Sequence, residues 1–390
     1  MPVAVYIFSI CTFAFGLSEF VVAGLVSAMA LGLHARIEAV GAAIAVYAFG
    51  AAIGAPFITA LVSHWQDRRI LAWAMAVLAA GSVLMSLSAT LPMLLGIRFV
   101  AGLAHGVFMA VASDAATRLA GNERAGRAVS VVWIGLTLAL ALGVPLGTLL
   151  GSIWSWRAIF ASIGVLALAG LAGLLYCMPA KAARAESGVG VGAGLRAIAH
   201  PQMLMTAGVG VLVSVATFCF FTFISPYLLQ VAGGDVQRLS TAMLLFGLFS
   251  IAGNLLGGYL ADKMATDRSA LLALSGLVAN LLGLYLFRHT SWVVVALAGT
   301  LGLVFFCIVT VLTLRLLKQA HRYVPASTAV AAGLNIASFN LGTALGGGLG
   351  SLTIAGAGLA ALPMVGAAAA LAAMAALWLQ SARTRARQTV

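Results

Sequence analysis

The sequence predicts an all-α membrane protein of twelve transmembrane helices. They form two six-helix bundles related by a pseudo-two-fold axis along the membrane normal. Three observations carry this. First, the 390 residues are 63% hydrophobic and only 8% charged, against about 25% charged in a soluble domain, too few to cover a water-facing surface. Second, the apolar residues fall into twelve runs. Third, glycine patterns in the two halves repeat at a nearly constant offset.

About 20 apolar residues are needed to cross ~30 Å of hydrocarbon as a helix. The runs lie near 3–33, 38–62, 70–90, 91–118, 127–152, 157–179, 201–231, 238–261, 269–288, 291–314, 326–352 and 358–380. The first is too long for a signal-peptide core and lacks a basic leader, so it is expected to be retained. The net charge of +12 does not indicate nucleic-acid binding, because the basic residues recur in short groups between apolar runs. Sixteen lie in alternate connections and the tail, and four (Arg36, Arg157, Arg238 and Arg288) lie in the other connections. By the positive-inside rule both termini are expected to be cytoplasmic. The Gly- and Ala-rich stretch 181–200 reads as a cytoplasmic linker between bundles 1–180 and 201–390. The cysteines Cys11, Cys177, Cys219 and Cys307 lie in apolar stretches without metal-ligand spacing and read as small buried hydrophobes.

In the fifth run Leu142, Gly143, Leu146, Gly147 and Gly151 have counterparts in Leu341, Gly342, Leu345, Gly346 and Gly350, each 199 residues later. Phe49-Gly50 pairs in the same way with Phe246-Gly247, 197 residues later. Two matches on corresponding helices indicate a duplicated six-helix unit, with a substrate site between the halves near mid-depth. Glycines four apart form a groove that allows close helix approach, either as static packing or as a contact that opens and closes. Pro145 removes a backbone hydrogen bond within the fifth helix and predicts a bend there.

Several segments carry a family resemblance: FGLSEFVVAGL at 15–25, YAFGAAIGAP at 47–56, GIRFVAGLAHGVF at 96–108, LGVPLGTLLG at 142–151, WRAIF at 156–160, FFTFISPYLLQVAG at 220–233 and GGYLAD at 257–262. The chain resembles the major facilitator superfamily in its twelve-helix drug:proton antiporter branch, and within it bacterial sugar, purine-nucleoside and chloramphenicol efflux pumps. The first copy of the family's loop motif has Ala60 and His64 where Gly and Asp are usual, and keeps Arg68 and Arg69; the second keeps Gly258, Asp262 and Lys263. In helix five the order is Gly143-Val144-Pro145, where the family usually places Gly directly before Pro.

Glu19 lies near the middle of the first run. A charged carboxylate there costs ~2.5–3.5 kcal/mol on insertion scales. Protonation removes that cost, as a proton carrier requires, and the resemblance implies an acid in this local sequence. The alternative is a structural partner for a nearby cation. Arg98, Gly102 and His105 share one face of helix four. Because the family lines its cavity with helices one and four, Glu19, Arg98 and His105 are expected to form one constellation. In it Arg98 would balance the acid's charge, and His105 could titrate near neutrality or serve only in packing. Asp114 faces away from Arg98 with Arg118 at i+4, which reads as a gate or structural salt bridge, with Arg68 or Arg69 as further partners. Phe221 and Tyr227 belong to an aromatic face on helix seven that suits a ring-bearing or sugar-like solute, or packs. Asn335 and Asn340 precede the helix-eleven groove and are candidates for hydrogen bonds to substrate.

No phosphate loop, metal cluster or nucleophile triad is present in the sequence. The expected function is therefore gradient-driven: a solute:proton antiporter that exports drugs, sugars or nucleosides, with no cofactor. It is expected to act as a monomer in a bacterial inner membrane. The alternatives are a proton symporter or facilitator for uptake, or a membrane-embedded enzyme or receptor. A membrane enzyme would need clustered catalytic groups, whereas these are dispersed.

Overall fold

The computed structural model describes residues 2–62, 64–121, 124–179, 200–323 and 328–386. The described residues contain helices and no strand. Bilayer interiors offer backbone groups no hydrogen-bond partner, so a spanning chain must satisfy them within helices or closed barrels. The first bundle comprises α1 (Val3–Gly32), α2 (Ile37–Leu61), α3 (Asp67–Ser86), α4 (Leu91–Ala120), α5 (Arg127–Ile153) and α6 (Trp156–Cys177). The second comprises α7 (Pro201–Phe221, continued by Ile224–Pro226 and Tyr227–Val231), α8 (Val236–Lys263), α9 (Thr266–Leu286), α10 (Ser291–Tyr323), α11 (Thr328–Ala357) and α12 (Leu362–Ala386).

Eleven of these helices are long and apolar enough to span a membrane, counted among the described residues. The twelfth, α11, has 30 residues, about 45 Å at 1.5 Å each. Large apolar side chains such as Leu31, Phe57, Trp73, Leu255 and Trp378 stand exposed on the outside. A soluble monomer would not expose so many, whereas a lipid-facing surface accommodates them. The expected linker falls outside the described residues except for His200.

Two boundaries differ from the sequence expectation. The tenth helix continues past 314 to Tyr323, so Arg315 sits within it and is only 5% exposed, rather than lying in a connection. The seventh run is interrupted at Thr222–Phe223. Proline accounts for this break. Pro226 offers no N–H to the Thr222 carbonyl one turn earlier, and its ring crowds that carbonyl. In α5, Pro145 acts on Ala141, and the chain there widens into a π turn over Ala139–Gly143. Further π turns cover Gly54–Ile58, which includes Pro56, and Tyr227–Val231, which follows Pro226. Such turns absorb the missing bonds without unwinding the helix. The bend expected at Pro145 therefore takes the form of a wide turn.

The glycine faces pack where the duplication predicts, α5 on α1 and α11 on α7, but in different ways. A β-carbon at Gly143 would meet the side-chain ends of Phe13 at 3.0 Å and Leu17 at 3.1 Å. At Gly346 it would meet backbone, the Val215 carbonyl oxygen at 3.0 Å and the Cys219 nitrogen at 3.1 Å; Gly342 lies still closer, on the Val211 carbonyl at 2.4 Å. Side-chain tips can yield and a helix backbone cannot. Gly346→Leu is therefore expected to lose most transport and Gly143→Leu a smaller share, measured as uptake into vesicles normalised to inserted protein. Equal activity in both variants and wild type would show that neither face packs as described.

Contacts between the bundles cluster at the face opposite the Arg-rich connections. Ser225 donates to Ser27 at 3.0 Å, Ser351 to the Glu38 carbonyl at 2.9 Å and Ser240 to the Pro145 carbonyl at 2.9 Å. The Phe223 ring, in the α7 break, fills the space over Gly41 of α2.

Candidate functional site

The site is built on the crossing of α2 and α4. Gly50 and Gly54 of α2 lie against the α4 backbone at Phe99 and Leu103, and Gly102 and Gly106 of α4 lie against α2 at Tyr47 and Ala51. Four glycines without side chains bring the two backbones together and leave Tyr47 beside Arg98 and His105.

Arg98 is fully buried. Its guanidinium donates from Nε to the Ala43 carbonyl at 3.0 Å and from Nη1 to the Ser18 carbonyl at 2.5 Å. A third donation runs from Nη2 to the Glu19 backbone carbonyl at 3.4 Å. The same group lies over the Tyr47 ring, 4.1 Å from its centroid. One cation thus ties α1, α2 and α4 together by the geometry in which arginine excels, a planar fork with an aromatic face. The Glu19 carboxylate meets His105 instead, Oε2 to Nδ1 at 3.5 Å, with both side chains less than a tenth exposed. His105 stacks on Phe15 at 5.0 Å, which fixes its plane. Its Nδ1 makes no hydrogen bond among the described residues.

Glu19, Arg98 and His105 therefore come together as expected, with one correction. Arg98 hydrogen-bonds the backbone beside Glu19, while the carboxylate faces His105. The carboxylate has a proton-accepting neighbour within a small movement of hydrogen-bond reach, and a cation nearby balances its ionised form. Glu19 and His105 both lie close to the midpoint of their 30-residue helices.

The second bundle answers this cluster with aromatic rings. Gly253 and Gly257 lie against α10 at Leu303 and Cys307, and Gly302 lies against Phe246. This packing equates Gly54 with Gly253, Gly102 with Gly302 and Tyr47 with Phe246, at 199, 200 and 199 residues. The alignment of Gly50 with Gly247 is corrected accordingly, since Gly247 instead packs on Leu140 of the other bundle. On these offsets Glu19, Arg98 and His105 correspond to Phe218, Ala298 and Phe305. Phe218 and Phe305 meet edge to face at 5.6 Å, as Glu19 and His105 meet in the first bundle. Phe20 of α1 and Phe339 of α11, both half-buried, reach Phe218 and Phe305 respectively.

The remaining candidates disperse. Phe221 is stacked on Phe246 at 4.1 Å and nearly fully buried. Tyr227 is buried, with its hydroxyl donating to the Leu284 carbonyl at 2.8 Å. Both pack within the second bundle rather than facing an open cavity, against Phe246 and the Leu284 carbonyl. Asn335 donates to Thr313 at 2.9 Å and Asn340 to its own helix at Ile336; Asn254 accepts from Thr310 at 2.9 Å.

At the Arg-rich face, Asp114 pairs with Arg118 at 3.1 Å, and Arg118 also pairs with the fully buried Asp67. Arg68 donates to the Leu175 carbonyl and Arg69 lies over Trp65. Neither joins Asp114, because both project from α3 toward α6 and the surface. Asp262 is exposed and makes no ion pair among the described residues, whereas Asp267 pairs with Arg315 at 2.8 Å. The paired acids near the two loop motifs are thus Asp67, fully buried, and Asp267, partly exposed, in the first turns of α3 and α9, 200 residues apart. That offset, nearly the one the glycines show, is the signal by which the sequence could have revealed them.

The chain matches the Major Facilitator Superfamily profile over residues 8–324. It is 32% identical to a chloramphenicol resistance protein of Streptomyces lividans, covering 89% of this chain and 88% of that one. It is 31% identical to the inner membrane transport protein YdhP of Escherichia coli strain K12 (89% and 87% covered), and 26% to a probable sugar efflux transporter of Helicobacter pylori strain G27 (90% and 88%). The crystal structure of the nucleoside transporter NupG superposes with a TM-score of 0.78 over 97% of this chain and 99% of that one, at 11% identity. The sequence relatives and the shared twelve-helix fold agree with the profile: this chain belongs to the major facilitator superfamily and is a multi-pass membrane transporter.

Proposed function

We propose that this transporter is a proton-coupled antiporter that exports a small ring-bearing solute from the cytoplasm by alternating access. The observation that carries the reading is the Glu19–His105 contact, buried at mid-depth beside Arg98. A charged carboxylate so placed costs ~2.5–3.5 kcal/mol on insertion scales, a cost that protonation during a transport cycle would remove. The first bundle would carry the proton, and the second would offer rings and neutral amides. Phe218, Phe305 and Phe339 would stack on an aromatic or sugar ring, and Asn335 with Thr313 would hydrogen-bond its polar edge. The names of the relatives, chloramphenicol resistance and sugar efflux, favour export of such solutes.

With Ser27–Ser225, Glu38–Ser351 and Pro145–Ser240 joined opposite the Arg-rich connections, we read the structure as a state closed on the outer face. The cycle would then run as follows. Solute arriving from the cytoplasm displaces the proton from Glu19. The bundles rock to open the outer side, and a proton from outside reloads the acid as solute leaves. No cofactor enters this scheme; the proton gradient supplies the energy. We place the protein in a bacterial inner membrane as a monomer with both termini cytoplasmic, by the positive-inside bias.

Symport would use the same Glu19–His105 pair with the proton still entering, and with the solute moving in the same direction as the proton. Everted vesicles energised by respiration distinguish the two. Adding chloramphenicol, a sugar analogue or a nucleoside analogue should dissipate the interior-acid gradient if the protein exchanges solute for protons. A deepened gradient would indicate symport, and an unchanged gradient with active solute movement would remove proton coupling altogether.

A further inference from the structure

A cleft of about 390 Å³ opens on the lipid-facing side of the first bundle, between α3 and α6 at the Arg-rich end. Gln66, Arg68 and Arg69 line its polar rim, and Ala72, Trp73, Ala76, Leu171 and Leu175 its apolar wall. We propose that this cleft binds the headgroup of an anionic phospholipid, with the acyl chains running down the apolar wall. This goes beyond the transport reading and involves none of its residues in the Glu19 cluster.

Three features favour that occupant. Arg68 is only partly committed: one nitrogen donates to the Leu175 carbonyl, while its Nε is buried without a hydrogen-bond partner among the described residues. Arg69 lies over Trp65, 4.6 Å from the ring centroid, on an exposed side of the rim. Among the described residues the adjacent acid, Asp67, is fully buried and pairs with Arg118 of α4. The rim is therefore cationic, and the first turn of α3 adds the positive end of a helix dipole. Below it, Trp73 is 57% exposed on a face that meets lipid. A Trp at headgroup level under two arginines matches a phosphodiester above and hydrocarbon below. A free phosphate would satisfy only the rim; the apolar wall selects the lipid.

The test is native mass spectrometry of the full-length protein released from detergent. It is titrated with phosphatidylglycerol, with phosphatidylcholine of the same chains, and separately with inorganic phosphate. Wild type should retain one phosphatidylglycerol that phosphatidylcholine does not replace. Arg68→Gln with Arg69→Gln should weaken that binding about thirtyfold, at roughly a tenfold-or-less factor for each surface charge. Ala76→Trp, which fills the wall and leaves both arginines, should weaken it as well. Arg268→Gln, a basic residue elsewhere on the same face, should not. Equal retention in the double variant, the filled variant and wild type would overturn the proposal. Displacement of the lipid by millimolar inorganic phosphate would also overturn it and make the cleft an ion site.

Discussion

Glu19→Gln should abolish accumulation driven by a pH gradient while sparing solute-for-solute exchange. Gln keeps the shape and hydrogen-bonding capacity of the protonated acid, and it cannot release a proton. If solute and proton compete for this position, linkage requires that binding solute expels the proton, and that solute affinity falls as pH drops through the titration of Glu19. The variant should therefore bind solute with a flat pH profile, while wild type shows a slope. In proteoliposomes with a gradient of two pH units, a one-for-one exchanger can concentrate solute at most about a hundredfold, since ~1.4 kcal/mol corresponds to tenfold. The variant should reach only equal concentrations on both sides. Asp114→Asn, at the Arg118 end of α4, should lower expression or rate and leave the pH slope intact. If Glu19→Gln still concentrates solute as wild type does, the proton travels by another route and His105 becomes the residue to test.

The sequence read the large features well because lipid imposes them simply. Run length and a 199-residue offset are one-dimensional signals, and the bilayer turns them directly into spans and symmetry. It also assembled Glu19, Arg98 and His105, because polar groups inside apolar runs stand out. It was less able to find partners between helices. Tyr47, which Arg98 covers, and Phe15, which orients His105, look like ordinary apolar-run residues, and only the glycine crossing of α2 and α4 brings them together. Phe221 and Tyr227 misled for a related reason: an aromatic stripe looks the same whether it packs or lines a cavity, and the break before Pro226 turned these rings inward. Asp67 was hidden by the family pattern, which directed attention to His64 three residues earlier. In the structure it is Asp67 that pairs with Arg118, and in the second bundle Asp267 that pairs with Arg315.

The duplication also shows what diverged. Equivalent positions hold Glu19 and Phe218, His105 and Phe305, Arg98 and Ala298. One ancestral helix pair thus holds an acid, a guanidinium and an imidazole in one bundle and a cluster of rings in the other. That division suits coupling, since a proton on the first bundle and a solute on the second can each bias the same rocking motion.

Replacing Arg98 should cost more than any other single change in the site. It donates to three backbone carbonyls on two helices and covers Tyr47, all fully buried. Arg98→Met would leave the carboxylate of Glu19 without a nearby fixed cation, and stranding a buried charge costs about 3–5 kcal/mol. The variant should melt well below wild type in detergent and lose transport. Arg98→Lys keeps the charge without the fork, so an ammonium can serve one or two carbonyls but not all three; it should melt between the two and transport at least about tenfold more slowly. The decisive measurement is the double variant Arg98→Met with Glu19→Gln. If the cation chiefly balances the carboxylate, removing the acid should restore much of the lost stability, because the two effects are then coupled rather than additive. If the double variant is as unstable as Arg98→Met alone, Arg98 acts chiefly by tying the α1 and α2 carbonyls together. Charge balance would then have to come from His105.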